Sequence, residues 1–291
     1  MKKINIFCFG FGRVAKSFIN KVNLENHNII LHTTSRSETA EKNFKGIKYQ
    51  NYQFKDEKYD EKLIPKLIDA DHICISIPPN EGEDLVIKKF SRFIDISKVK
   101  WITYLSATSV YGDHKGEWVN ENSETKPVSP NGVARLKTEN SWLALKKDKN
   151  FPVQIFRLSG IYSNENNILT RLKLGNVKFI NKKDHYFSRI HIEDISNILF
   201  ESLTKFKPGE IYNLSDDKPA SSEETTLYAA KLLNIKNIKK VNIKDIKSKI
   251  LKNFYKESKK VDNKKMKEFF SYKLKFPSYI EGLNYIRNNF I

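Results

Sequence analysis

A chain of 291 residues is long enough for one large α/β domain or two modest ones, and 39% hydrophobic content with 19 Phe and 13 Tyr excludes a disordered chain. The net charge of +18 would suit nucleic acid or an anionic membrane surface. Its source is Lys scattered among Asn and Ile, densest over residues 236–275, with no Arg-rich cluster, aromatic-basic interleaving or nucleic-acid motif. It reads as a solvated basic face that helps to draw in an anionic substrate, and no nucleic-acid partner is expected. Cys8 and Cys74 are the two cysteines, each in an apolar run, so neither a disulfide framework nor a metal site is expected. The start, MKKINIFCFGFGRVAK, has a short apolar run with two Gly and no small-residue cleavage site, unlike a signal peptide. No stretch approaches a membrane span, so a cytoplasmic protein without a membrane partner is expected.

In chain order, Lys3 to Phe9 reads as a strand, followed by a glycine turn and a helix from Arg13 to Val22. Asn28 to Thr33 is a second strand, Gly46 to Tyr52 a weak one, and Leu63 to Asp69 a helix. His72 to Ile77, closed by Pro78 and Pro79, and Lys100 to Leu105 are further strands. Val133 to Lys147 reads as a helix and Pro152 to Leu158 as a strand. Loops and short helices then run to about Arg189, a helix from Ile190 to Phe200 is entered through His191 and Asp194, and Glu210 to Leu214 is a late strand. Helical segments dominate from Ser215. Strands alternating with helices predict a doubly wound parallel sheet, in which Cys8 and Cys74 lie on neighbouring strands as reduced packing residues.

CFGFGRVAKS places Gly10, Gly12 and Ala15 in the spacing G-x-G-x-x-A, directly after a strand and at the start of a helix. The first glycine allows the tight turn, the second lets backbone approach a pyrophosphate, and the small third residue lets helix pack on strand. Gly10, Gly12, Arg13 and Val14 are therefore the candidates for a dinucleotide. The second strand ends in HTTSRS, with Ser35, Arg36 and Ser37 where an NAD binder presents an acid to the ribose. Arg36, with Arg13, offers a planar fork to a 2′-phosphate, so NADP(H) is favoured over NAD(H).

YLSATSVYGD (104–113), SPNGVARLKTE (129–139), IFRLSGIY (155–162), FSRIHIEDIS (187–196) and YNLSDDKPASSEE (212–224) follow the glycine turn in order. Together these motifs resemble an extended short-chain dehydrogenase/reductase of the NAD(P)-dependent epimerase/dehydratase family, from the first strand to about Tyr285. The G-x-G-x-x-A turn is similar to that of the atypical branch, whose members often lack the active-site Tyr. The resemblance implies a Rossmann domain over residues 1–157, rejoined by 190–214, and a small, mainly helical substrate lobe over 158–189 and 215–291. It also implies a small-molecule substrate and pairing into a homodimer through helices flanking the sheet.

In ordinary members a Ser or Thr four residues before the Tyr of the VYG segment helps hold the substrate hydroxyl, a second Tyr carries its proton, and a Lys tunes that Tyr and binds the nicotinamide ribose. Here those positions hold Ala107, Asn131 and Arg135, with Ser106 and Thr108 beside Ala107. Asn131 cannot carry a proton near neutral pH, and Arg135 can bind ribose hydroxyls but does not deprotonate. Thr108, Tyr111 and His114 are the candidate replacements, His114 because its pKa suits proton transfer and it sits in a polar loop. Arg157, Tyr162 and Arg189 are candidate substrate contacts, Tyr186 could line the same cleft, and His191 and Asp194 read as a packed ring and a helix start. Two functions stay open: an NADP(H)-binding oxidoreductase or epimerase/dehydratase-like protein acting on a small polar substrate, nucleotide sugars included, and a dinucleotide-binding sensor without turnover.

Overall fold

The computed structural model describes residues 3–25, 27–80, 82–175, 179–180, 182, 184–238, 240–241, 245 and 255–291. Part of the lysine-dense run over 236–275 (239, 242–244 and 246–254) lies outside them.

The chain divides into two compact units that it enters more than once. The first comprises Met1–Ser106, Val133–Arg157 and Ile195–Ile211. Strand β1 (Lys3–Phe9) is buried on both faces after its first residue, which a continuous apolar run demands of a central parallel strand. Helix α1 (Arg13–Leu24) follows and buries Ala15, Phe18, Ile19 and Val22, a stripe at helical spacing. Strand β2 (Asn28–Ser35) pairs parallel with β1. Strand β3 (Ala40–Phe44) turns back antiparallel on β4 (Ile47–Lys55) through Lys45 and Gly46, both at positive φ (51° and 85°), the primed hairpin geometry that suits twisted strands. β4 also pairs parallel with β2 and carries the short edge strand β5 (Lys58–Tyr59).

Helix α2 (Leu63–Ile68) leads to β6 (His72–Ile75), which pairs with β1 in a register that sets Cys74 opposite Cys8. Both thiols are free and buried, and Cys74 with the apolar surroundings pushes the Cys8 thiol up, away from thiolate reactivity. Helix α3 (Leu85–Asp95) was not among the sequence expectations. It is capped by Asp84, which accepts from the amides of Val86 (2.8 Å) and Ile87 (3.0 Å) and from Trp142 Nε1 (3.1 Å). Strand β7 (Trp101–Ala107) follows. The core joins Phe7, Phe9, Phe90, Tyr104, Trp142 and Ile155 with their neighbours.

The second unit comprises Ala107–Gly132, Leu158–Asp194 and Tyr212–Ile291. Residues 107–132 belong to this unit. They hold a 3-10 turn over Thr108–Tyr111 and strand β8 (Trp118–Val119). Helix α4 (Pro130–Lys149) starts here, with Pro at the first helical position where its missing N–H costs nothing, and continues into the first unit. Strand β9 (Val153–Leu158) leads out to β10 (Gly160–Tyr162), helix α5 (Ile168–Lys173) and β11 (Phe179–Ile180).

Ile190 and His191, expected as the start of a helix, are instead extended in β12 (Arg189–His191), which pairs with β10; helix α6 (Ile192–Glu201) begins after them. Strand β13 (Ile211–Leu214) and helix α7 (Ser222–Leu232) follow, the helix closed by a Ser221/Glu224 capping box. Strands β14 (Lys240–Val241) and β15 (Lys260–Val261) pair with β11 and β8, and α8 (Lys264–Phe270) and α9 (Tyr279–Phe290) end the chain. A core of Tyr162, Leu169, Ala229, Tyr279, Leu283 and Ile286 with their neighbours holds α5, α7 and α9.

Among the described residues the main sheet has nine strands in the order β13-β9-β7-β6-β1-β2-β4-β3, with β5 on β4. The order reverses at β1, the switch point where doubly wound sheets collect ligands at the carboxyl ends of their strands. No helix of the described residues is long and apolar enough to cross a membrane.

Candidate functional site

In the first unit the candidate site is built on the turn between β1 and α1. Gly10 sits at φ +84°, and a Cβ there would stand 2.7 Å from Ile77 Cγ2 and 2.9 Å from Ser76 Oγ, so only glycine fits. Its amide donates to Thr34 Oγ1 (3.0 Å), and Ser76 Oγ lies 3.0 Å from the Gly10 carbonyl, to which it donates. Thr34 and Ser76, at the ends of β2 and β6, are turn-holding residues that the motif alone did not indicate. Gly12 caps α1 without any side-chain cap, and a Cβ on it would meet nothing within 4 Å. No side chain caps the first-turn amides of this 12-residue helix and no acid lies in its first turn, which is the electrostatic setting a phosphate needs. Ala15 is fully buried against the sheet, the role of the small third residue. Arg13 opens the helix and is exposed, and Val14 is half-buried.

At the end of β2, Arg36 is exposed, Ser35 Oγ lies 2.8 Å from Ser37 Oγ, and Lys42 Nζ donates to Ser37 Oγ (2.8 Å). Thr33 Oγ1 donates to Asn51 Oδ1 (3.1 Å), and Asn51 Nδ2 donates to the Glu38 carbonyl (3.2 Å), which ties the loop after β2 to β4. No carboxylate takes part in these bonds. Further along the sheet edge, Arg135 Nη1 donates to the Leu105 carbonyl (2.8 Å), fixing the guanidinium at the end of β7.

Arg157 lies deeper. Its Nε donates to Glu139 Oε1 and Oε2 (3.2 and 3.1 Å) and its Nη2 to Oε2 (2.7 Å), with both side chains at most 4% exposed. The sequence reading offered this arginine to an anionic substrate, but its charge is spent on a buried carboxylate. The reason is desolvation: a buried guanidinium needs a fixed partner, and α4 supplies one.

The second unit holds the other candidates. Ala107 ends β7, and Thr108 opens the 3-10 turn, so the strict alternation of a strand no longer governs which way Thr108 faces. The Tyr111 hydroxyl is fully buried and donates to Asn213 Oδ1 (2.7 Å); Asn213 is held in turn by Glu121 Oε1, which accepts from its amide (2.7 Å), and by the Asp262 carbonyl (3.1 Å). His114 Nε2 faces the carbonyls of Tyr111 (3.1 Å) and Glu124 (3.2 Å), so it carries a proton and donates. Both side chains brace their own loop. Asn131 is exposed on the first turn of α4. Gly132, next to it, would drive a Cβ to 2.6 Å from the Ser109 carbonyl, so the SPNG sequence lets α4 begin against the 3-10 turn.

Tyr162 is 8% exposed, its hydroxyl donates to the Ser278 carbonyl (3.4 Å), and its ring lies edge-on to His191 at 5.0 Å. It is a core residue here. Arg189 is half-buried, and its Nη1 donates to the carbonyls of Phe187 and Ala220 (3.0 Å each). Asp216 lies nearby, its carboxyl pushed well up by burial against the opposing pull of Arg189. His191 is fully buried between Tyr162 and Phe276, and burial lowers its pKa to about 4. Asp194, also buried, accepts from Tyr272 Oη (2.8 Å), the Lys275 amide (2.7 Å) and the Phe276 amide (3.1 Å), which makes it an anchor for the segment before α9. Tyr186 is half-buried, with Lys260 Nζ 4.5 Å from its ring centre. Among the described residues no group of three or more His, Cys, Asp or Glu could hold a metal ion.

The parallel sheet with its reversal at β1 and the glycine turn above it define a Rossmann-type α/β protein. Residues 91–215 match the model of the NAD dependent epimerase/dehydratase family, and the structural neighbours include epimerases and dehydratases of the extended short-chain dehydrogenase/reductase type, as the ordered motifs implied. A functionally unknown conserved protein from Silicibacter pomeroyi is 29% identical, with a TM-score of 0.86 and 99% of each chain covered. The dTDP-glucose 4,6-dehydratase of Bacillus anthracis, in complex with NAD, is 18% identical with a TM-score of 0.76, covering 99% of this chain and 96% of that one. The UDP-glucuronic acid 4-epimerase of Bacillus cereus, also in complex with NAD, is 16% identical with a TM-score of 0.77 over the same shares. For these last two the likeness is one of fold. No curated protein matches the chain in sequence.

Proposed function

We propose that this protein binds NADP(H) and acts as an epimerase/dehydratase-like oxidoreductase on a small polar substrate of the nucleotide-sugar kind. The observation that carries the reading is the uncapped N-terminus of α1, with Gly10 forced by its neighbours and open space beside Gly12. Those amides would hold the pyrophosphate, with Arg13 and Val14 in the same turn. Ser35, Arg36 and Ser37 would receive the adenosine end, and Arg135 the nicotinamide ribose. When bound, the cofactor supplies reversible hydride transfer. Preference for the 2′-phosphorylated form is supported by Arg36 and by hydroxyls in place of an acid at the end of β2.

The proton chemistry must differ from that of ordinary relatives, because Asn131 carries no proton and Arg135 tunes none. Thr108 remains the hydroxyl best suited to hold substrate, and Arg189 is the cation best suited to an anionic group. A second reading, a dinucleotide sensor without turnover, is favoured by a specific observation: the polar ends of Tyr111 and His114 are engaged within their own unit.

Titration with NADPH, NADP and NADH, followed by nicotinamide fluorescence and thermal unfolding, tests the reading. Tight NADPH binding that weakens about tenfold in Arg36→Ala is expected, the worth of one charge-assisted contact. Failure to bind any nicotinamide nucleotide overturns it. Turnover in a substrate screen separates the enzyme from the sensor. Hydride exchange gained in the double variant Asn131→Tyr/Arg135→Lys would mean that only the acid/base pair was lost.

A further inference from the structure

The β3–β4 hairpin lies against the glycine turn. Phe11, between the two glycines, packs edge-on against Phe44 with ring centres 5.5 Å apart and against Tyr49 at 5.0 Å. Phe44 is on β3, and alternate residues of a strand share a face, so Lys42 lies on the same face of β3 as Phe44. Both are half-buried while Glu41 and Asn43, on the other face, are exposed. The aromatic contact therefore sets the position of Lys42, and its ammonium reaches Ser37 Oγ at 2.8 Å in the loop that also carries Arg36. Ser37 Oγ in turn meets Ser35 Oγ at 2.8 Å. Among the described residues neither Lys42 nor Arg36 is in an ion pair, although Glu38 and Glu41 are close in sequence.

We propose that Lys42 is a specificity-determining residue for the 2′-phosphate of the adenosine ribose, acting with Arg36 and the Ser35–Ser37 hydroxyl pair. The assignment rests on the NADP(H) reading and adds a cation delivered by the hairpin to the one in the loop. Two cations of different kinds suit a dianionic phosphate: Arg36 binds as a fork and Lys42 as a point charge already oriented by a hydroxyl.

The test measures dissociation constants of NADPH, NADH and adenosine 2′,5′-bisphosphate for the wild type, Lys42→Met and Lys42→Arg, with thermal unfolding of each. Lys42→Met keeps the apolar stem, so the fold should persist. Expected are a roughly tenfold loss for NADPH and the bisphosphate, NADH within about twofold, and recovery in Lys42→Arg. Wild-type NADPH binding that Lys42→Met leaves unchanged, or weakens equally with NADH, overturns this assignment alone. A wild type that binds no nicotinamide nucleotide overturns the NADP(H) reading and the assignment with it.

Discussion

The glycine turn of the first unit and the Thr108–His114 stretch of the second were both singled out by motif, yet they met different fates. At the turn each motif residue does what its type requires: Gly10 takes a positive φ in a space no Cβ could enter, Gly12 leaves the helix amides open, and Ala15 is buried. In the Thr108–His114 stretch, Tyr111 and His114 are bound to Asn213 and to two carbonyls. A backbone requirement is local and travels with the motif, whereas the task of a polar side chain depends on partners brought in from elsewhere.

Three substitutions sharpen that comparison. The largest effect is expected in the first unit, where Glu139→Gln leaves the Arg157 guanidinium buried without its carboxylate. A loss of about 3–5 kcal/mol is expected in denaturant unfolding, the usual cost of orphaning one buried charge. A change below about 1 kcal/mol would mean that Arg157 can turn outward and is available to a ligand after all.

Next is the acid limb of stability. His191 is neutral when buried, with its pKa lowered to about 4 from 6.5. The unfolded chain therefore binds the proton first, and the stabilisation is present above pH 6.5 and is lost as pH falls through 4. The contribution is about 3 kcal/mol at most. His191→Phe, which keeps the packing against Tyr162 and Phe276, should flatten unfolding free energy between those pH values. An unchanged profile would show that the ring is already reached by water.

The smallest effect is expected for Tyr111→Phe. Loss of the hydroxyl leaves Asn213 Oδ1 buried without its donor and should cost about 1–2 kcal/mol of stability, with NADPH affinity unaltered. If instead stability holds and a measured turnover collapses by orders of magnitude, Tyr111 leaves Asn213 during the reaction and the contrast between the two regions fails.

Much of the fold was legible because its signals repeat at short range. The alternation of apolar runs and helical stripes indicated β1, α1, β2, α2, β6, β7, α4 and β9 within a few residues. Helix α3 is written in the sequence just as plainly, with Asp84 as its cap and Val86, Phe90 and Ile94 as its buried stripe. The β3 strand is not, since AEKNF carries no apolar alternation and depends on pairing with β4 and on the turn at Lys45–Gly46. Lys42 was hidden for the same reason: it lies on β3, which pairing with β4 holds in place within reach of Ser37. Ile190 and His191 fit a helical pattern, and pairing with β10 overrode it.

By itself the sequence determined the class of fold, the place of the glycine turn and the absence of the usual Tyr and Lys, because apolar period, glycine conformation and residue identity are properties of the chain. Tertiary structure alone decided which charges and hydroxyls are engaged. Arg157 could have faced a ligand or a core carboxylate, and the meeting of α4 with β9 settled it by placing Glu139 within hydrogen-bond reach. Burial makes an unpaired charge too costly to leave, so the partner that folding supplies fixes the role of the residue.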